Sequence, residues 1–170
     1  MAEFTLMHPL GAQSFRRSSG YGYRVHPVTG SDHLHNGVDY AASEGTDVYA
    51  ASPGVVSKVA SDSSSGNYVE IDHGDGRSTL YLHLLNYATQ LGAQVAEGDL
   101  IGAVGSTGRS TGAHLHFMLK LNGETTDPEP YITRTWASYA VNYWWVAIIT
   151  LGTLLGALMY RRKFGQVELP

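Results

Sequence analysis

Cysteine, charge and helical periodicity are all scarce in this sequence. It has no cysteine, which excludes a disulfide-stapled scaffold and a metal site built from thiolates. Only 15% of its 170 residues are charged and the formal net charge is −4, which argues against a protein that binds nucleic acid through a basic face. Glycine (20 residues) and tyrosine (11 residues) are plentiful instead, and this composition favours one turn-rich β domain.

The charges are distributed unevenly along the chain. Residues 1–136 contain eight basic and fourteen acidic residues, residues 137–160 contain no charged residue, and residues 161–170 are net basic. Residues 1–17 lack the positive start and unbroken apolar run of a secretory signal, so we expect them to form a surface arm. The sequence therefore predicts an acidic body, an uncharged segment and a short basic tail.

The uncharged segment has the length and composition of a membrane span. As a helix, residues 139–160 would be about 33 Å long, enough to cross a hydrocarbon core of roughly 30 Å. Aromatic residues lie at both of its ends, and the basic tail follows directly. The alternative, a buried hairpin, would have to explain a long stretch without any charge. We therefore expect a single-pass anchor in lipid, with the tail inside, the body facing outward and residues 133–138 as a linker.

Gly152 and Gly156 form a GxxxG pair inside this segment. Small residues four apart allow two membrane helices to approach closely. The pair therefore indicates a helix–helix contact within the membrane.

Residues 18–132 are predicted to form a small, mostly antiparallel β-sheet, barrel-like in outline. The predicted strands are residues 47–51, 54–60, 67–72, 78–84, 99–104 and 114–121. SDSSSG at 61–66 and GDG at 74–76 indicate turns, the second of them a hairpin. Six or more short strands at this spacing are typical of a compact antiparallel sheet.

Histidines occur in the predicted body in patterns suited to a metal. His35 and Asp39 are spaced i, i+4, and His114 and His116 are spaced i, i+2, so we expect each pair to share one face of a strand. His83 lies in a further predicted strand. Two histidines and one carboxylate with an open coordination position form a catalytic zinc arrangement, and histidines left over are suited to proton transfer near neutral pH.

The order and spacing of these motifs resemble the lysostaphin-type (LytM-like) zinc endopeptidases, which cut the peptides of peptidoglycan. The resemblance extends from about residue 19 to residue 131. The motifs that carry it are GYRVHPVTG at 22–30, HNGVD at 35–39, EGTDVYA at 44–50, YLHL at 81–84, EGDLIG at 97–102 and GSTGRSTGAHLHF at 105–117.

The resemblance implies a role for each residue of the constellation. His35, Asp39 and His116 match the ligands of one zinc ion per chain, whereas His83 and His114 match two catalytic histidines that do not bind the metal. It also implies an antiparallel β domain with a groove over the metal, and peptide crosslinks of the bacterial cell wall as substrate. How the two catalytic histidines divide the acid and base roles stays open. We expect His8, His33 and His73 to lie on the surface, and His26 to have a structural or supporting role.

Two other functions remain alternatives. Two histidines and a carboxylate also form the iron site of non-haem oxygenases, but the HxxxD spacing is unusual there and leaves His83 and His114 without a role. A membrane-anchored domain that binds peptidoglycan or regulates without hydrolysis is the second alternative. The anchor distinguishes this sequence from many family members. No export signal is evident. We therefore expect the protein to be carried in a bacteriophage particle, where it opens the wall during entry, rather than to be a tail-anchored cellular protein.

Overall fold

The structure, a computed structural model, describes residues 4–25 and 32–134. All of these belong to one compact unit, Met1–Thr135. The predicted membrane span, with its glycine pair and the basic tail, lies outside the described residues, as does His26. Among those residues, no helix is both long enough and apolar enough to cross a bilayer.

The described chain is mostly β-structure, as the sequence predicts. The one helical element is a 3-10 turn at Glu129–Tyr131. The strands are β1 (Leu6–Met7), β2 (Arg16–Ser19), β3 (Gly22–Val25), β4 (Asp32–His35), β5 (Val38–Ala41), β6 (Asp47–Tyr49), β7 (Gly54–Asp62), β8 (Gly66–Gly74), β9 (Arg77–Tyr87), β10 (Gln94–Val95), β11 (Leu100–Val104), β12 (His114–Leu121), β13 (Glu124–Thr126) and β14 (Ile132–Arg134).

Ten of these strands form one antiparallel sheet. Its main path runs β10-β7-β8-β9-β12-β5-β2, and β6, β11 and β13 pair beside it. The path does not close on itself among the described strands, so the sheet is open where a barrel-like outline was expected. The strands β3 and β4 form a separate antiparallel pair, and β1 pairs with β14 in parallel.

Side chains of the central strand β12 alternate between the hydrophobic core and the opposite face of the sheet. Leu115, Phe117 and Leu119 are fully buried and belong to the main hydrophobic cluster, whereas the alternating residues His114 and His116 lie on the other face. The ring of Phe117 packs against Tyr81, with the two centroids 5.3 Å apart. Side-chain alternation therefore gives β12 one face that packs into the hydrophobic core and one face that presents its two histidines.

The amino-terminal residues are part of the core, which corrects the expectation of a surface arm. Leu6, Met7 and Leu10 are fully buried, and β1 pairs with β14. Burying such side chains contributes about 1.5–3 kcal/mol each, so this segment helps to stabilise the domain. The pairing also places residues 133 and 134, the start of the predicted linker, in a strand.

Replacing Phe117 with alanine is expected to destabilise the protein by about 3–5 kcal/mol, because it opens a cavity beside Tyr81. Denaturant unfolding of the full chain measures this change. The matched control is Leu100→Ala, at an apolar side chain that is 46% exposed, which should change the free energy of unfolding by less than about 0.5 kcal/mol. Equal effects of the two substitutions would contradict the assignment of Phe117 to the core.

Candidate metal centre

Three side chains converge where β4 ends and β5 runs beside β12. His35 is the last residue of β4, Asp39 lies in β5, and His116 is the direct partner of Asp39 across the β5–β12 ladder. Between the two strands, a Cβ at Gly37 would lie 2.5 Å from the carbonyl oxygen of Phe117. His35 and Asp39 therefore come from two strands joined by a tight link, and not from one face of a single strand as the spacing suggested.

One atom of each of these side chains faces a common point. His35 Nε2 lies 3.1 Å from Asp39 Oδ1 and 3.1 Å from His116 Nδ1, and the last two atoms are 2.7 Å apart. Two imidazole nitrogens and one carboxylate oxygen within 4.8 Å of one another could hold a metal ion. This donor set fits zinc, and it leaves a coordination position for water or substrate.

Neighbouring acceptors fix the orientation of both imidazoles. His35 Nδ1 donates to the carbonyl oxygen of Gly20 at 2.6 Å, and His116 Nε2 donates to Asn36 Oδ1 at 3.2 Å. Each of these bonds holds the ring proton on the nitrogen that faces away from the other two side chains, Nδ1 in His35 and Nε2 in His116. The second nitrogen of each ring then presents a lone pair to the common point. Partners of this kind orient metal-binding histidines and strengthen them as ligands.

The protonation of the donor set suits a metal ion at neutral pH. Burial would by itself raise the pKa of Asp39, but the adjacent imidazoles of His116 and His35 hold that pKa well below its usual range. Burial lowers the pKa of His116 despite the adjacent carboxylate. A cation therefore has few protons to displace here.

His83 and His114 stand beside the donor set but are bound to backbone carbonyls. Their rings are 4.7 Å apart, and His114 Nε2 is 3.8 Å from Asp39 Oδ1. His83 Nδ1 donates to the carbonyl oxygen of Thr107 at 2.9 Å, and His114 Nδ1 donates to that of Gly112 at 2.8 Å. Both Nε2 atoms are thereby left for other contacts. Burial lowers the pKa of His83, which favours its neutral form.

The backbone of His83 explains how its side chain reaches the site. Strand β9 pairs with β12 as far as Leu82 and with β11 from Leu84 onward. His83, at this change of partner, has a φ of +63°, and its N–H donates to the carbonyl oxygen of Ser65. A positive φ at a non-glycine residue costs of order 1–3 kcal/mol and is concentrated at functional sites. The sequence pattern places His83 within a predicted strand but gives no sign of this positive φ.

All five residues line one cavity of about 820 Å³. Its walls come from the β3–β4 pair, the turn between β7 and β8, and the loop between β11 and β12. The sequence-predicted constellation is therefore brought together in one groove, which is large enough for a peptide segment. The individual roles of the five residues stay predictions.

Two of the histidines expected at the surface lie elsewhere. His8 is buried, stacked on Phe15 with a centroid distance of 4.0 Å, and burial lowers its pKa to about 4. His73 is partly buried between the carbonyl oxygen of Pro53 and Thr79 Oγ1, at 2.7 and 2.8 Å. Only His33 is exposed as expected, and it lines the groove.

The sequence comparisons identify the family. A family model described as peptidase family M23 matches residues 33–128, more than half of the chain, so the chain belongs to this family. It is 46% identical over 113 residues to the DD-carboxypeptidase/endopeptidase Mpg of Neisseria gonorrhoeae and 45% identical over 116 residues to the peptidoglycan DD-endopeptidase ShyC of Vibrio cholerae. These matches cover 66% and 67% of the chain, but only 26% and 27% of the relatives. The chain thus spans about a quarter of the length of the curated relatives it matches.

Solved structures agree with this assignment. A zinc-containing peptidase from Vibrio cholerae superposes with a TM-score of 0.70 at 35% identity, over 73% of this chain and 39% of that one. The catalytic domain of the prophage-encoded M23 protein EnpA from Enterococcus faecalis, solved as a mutant, gives 0.65 at 35% identity, over 75% and 97%. The catalytic domain of lysostaphin from Staphylococcus simulans gives 0.63 at 32% identity, over 71% and 93%. The lysostaphin-type resemblance inferred from the motifs is confirmed.

We expect the protein to bind one metal ion per chain, and an Asp39→Ala/His116→Ala double variant to lose it. Elemental analysis after dialysis against limiting zinc measures this. His33→Ala is the control, because it changes an imidazole of the same groove outside the donor set. Since protons compete with the metal for the donors, binding should weaken toward acid pH, and the lowered pKa of His116 reduces this competition at that donor. Full metal content in the double variant would overturn the site.

Proposed function

We propose that this chain is a zinc endopeptidase that cleaves peptide crosslinks of bacterial peptidoglycan. The observation that carries the proposal is the joint placement, in one groove, of a three-donor metal set and two further histidines that are held by backbone carbonyls. A purely structural metal site is closed by four protein ligands, whereas this set has three. The names of Mpg and ShyC support a DD-endopeptidase acting on the wall.

Zinc is the metal that we assign to the site. The donors are two nitrogens and one oxygen, which suit zinc, and a relative with the same fold is described as zinc-containing. Bound zinc would polarise the scissile carbonyl and lower the pKa of a water molecule.

The two remaining histidines would handle the protons and the developing charge. Their Nδ1 atoms are engaged by Thr107 and Gly112, so their Nε2 atoms are available to the substrate. One imidazole would accept the proton of the attacking water, and the other would donate a hydrogen bond to the carbonyl oxygen as negative charge grows there. His114, 3.8 Å from Asp39, is nearer to the donors and so the better placed proton acceptor.

The test is hydrolysis of crosslinked peptide by the zinc-loaded full chain. We expect mass spectrometry to detect products whose formation a chelator abolishes. His83→Ala and His114→Ala should keep the metal but lose about 10²- to 10⁴-fold in turnover, because each removes a positioned proton-transfer group. His33→Ala should stay close to wild type.

The outcome also separates the alternative functions. Binding of wall peptides without cleavage by the metal-loaded protein would favour a non-hydrolysing domain. Stoichiometric iron would favour an oxygenase. Near-full turnover in either histidine variant would remove that residue from the mechanism.

We further propose that residues 139–160 anchor the protein in a lipid membrane, with the catalytic body facing the wall, and that it is carried in a bacteriophage particle. The support for the anchor is the uncharged sequence and the basic residues that follow it. The support for the particle is that EnpA, a prophage-encoded protein, has a catalytic domain of the same family. Contact between helices through Gly152 and Gly156 belongs to the same proposal.

We expect the full chain to float with lipid vesicles, and a chain lacking residues 137–170 to stay soluble with its metal. The reason is that the hydrophobic core of the described domain lies entirely before the deletion. In sealed vesicles or intact particles, external protease should reach the catalytic body and not the tail. Flotation of the truncated chain, or cleavage of the tail alone, would contradict the anchor or its orientation, respectively.

A further inference from the structure

We propose that Arg24 and Arg109 form a carboxylate-recognition site in the groove, so that the preferred substrate is a peptide with a free carboxylate close to the scissile bond. The inference rests on the proposed function and specifies its substrate class. Both arginines line the same cavity as the metal donors. Asp39, already engaged by His35 and His116, is the one acidic residue among the described residues of that lining. The groove is therefore locally positive in a protein whose formal net charge is −4.

Arg24 is held on the β3–β4 pair, beside the donor set. It lies directly opposite His33, while Gly22 lies opposite His35, so alternation places Arg24 on the same face as both histidines. Its Nη1 donates to Ser19 Oγ, a neutral acceptor. Within the described residues, no carboxylate lies within ion-pair distance of this guanidinium. Arg24 is exposed, so its charge is available to a ligand in the groove.

Arg109 is held by a loop that also orients a predicted catalytic histidine. The backbone N–H of Arg109 donates to the carbonyl oxygen of Ser64 at 2.9 Å, and Gly108, with a φ of +70°, packs directly on Gly66. Two residues before Arg109, the carbonyl oxygen of Thr107 accepts the bond from His83 Nδ1. Arg109 itself is exposed, and the described part of the chain provides its guanidinium with no carboxylate partner.

Three described arginines outside the groove offer a comparison. Arg17 pairs with Glu129 at 2.8 Å and Arg77 pairs with Asp75 at 2.6 Å, whereas the exposed Arg16 has no carboxylate within ion-pair distance among the described residues. None of the three lines the groove. The groove arginines therefore differ from the rest in lying together beside the metal donors with their charges unpaired by the described carboxylates.

The guanidinium group accounts for the chemical class of the ligand. It presents a planar fork of N–H donors that matches a carboxylate in a bidentate way and stays charged at any physiological pH. Two such groups beside a cationic metal would also attract an anionic peptide over a distance of several ångströms. An uncharged crosslink would gain none of this attraction. We therefore assign to the arginines the recognition of a peptide carboxylate, and not a part in bond cleavage.

The experiment compares two substrates that differ in one group. They are a crosslinked peptide released from purified wall and the same peptide with its carboxylates converted to carboxamides. We expect wild type to show about 10- to 100-fold higher kcat/KM on the carboxylate form, mainly through a lower KM. Arg24→Gln and Arg109→Gln should each reduce this preference, and the double variant should abolish it, so that its kcat/KM is the same on both substrates.

Two further measurements test whether the preference comes from the groove arginines and whether it is an effect on binding. Arg77→Gln, which removes an arginine outside the groove, should keep the full preference. Binding of both peptides to metal-free protein, measured by calorimetry, should show the same dependence on the arginines and should weaken with added salt. This measurement does not depend on hydrolysis.

The possible failures are distinguishable. Equal kcat/KM on the two substrates for wild type would overturn the carboxylate site and leave the endopeptidase intact. Arginine variants that lose activity on both substrates equally would also overturn it, because the residues would then only support the groove. If the zinc-loaded wild type cleaved neither peptide, the proposed function would fail, and the binding measurement would still decide whether the carboxylate site exists.

Discussion

The pairing of His116 with Asp39 across the β5–β12 ladder is the constraint on which the rest of the structure depends. It brings together two of the predicted metal ligands from positions far apart in the sequence, and it fixes the face on which they lie. The same register sends Leu115 and Phe117 into the core. A slip of one residue would exchange the two faces, placing histidines in the core and apolar side chains in the groove. The free energy gained by burying Leu115 and Phe117 therefore also stabilises the register that forms the site.

His35 and His83 come to the site at points where the regular strand pairing is interrupted. Gly37 lets the chain pass too close to Phe117 for any side chain, and this brings His35 over the ladder. His83 takes a positive φ where β9 changes its partner from β12 to β11. Both irregularities are held from outside, by β12 in the first case and by Ser65 and Thr107 in the second. The regular sheet positions Asp39, His114 and His116, and local departures from it position His35 and His83.

This difference explains what could be predicted from the sequence. Strands such as β8, β9 and β12 were recognised because apolar residues recur within them and glycine turns separate them. The short strands β2 and β5 were not, since they form through pairing with distant segments, and neither were β3 and β4, which among the described strands pair only with each other. Likewise, the HxxxD spacing identified His35 and Asp39 but not the link between two strands. The burial of His8 depends on stacking with Phe15, and the φ of His83 depends on neighbouring strands, so neither leaves a local signal.

Electrostatics connects the site to the stability of the domain. Burial lowers the pKa of His116 and of His83 and so favours their neutral imidazole forms, but the same burial disfavours the negative charge of Asp39, and the adjacent imidazoles of His116 and His35 offset this cost. A polar cluster of this kind is costly to desolvate, and a bound cation removes most of that cost by satisfying all three donors at once. Because a ligand that binds only the folded state stabilises it, the metal would contribute to folding as well as to chemistry. The fully buried apolar face of β12 is what allows the domain to carry such a cluster on its other face.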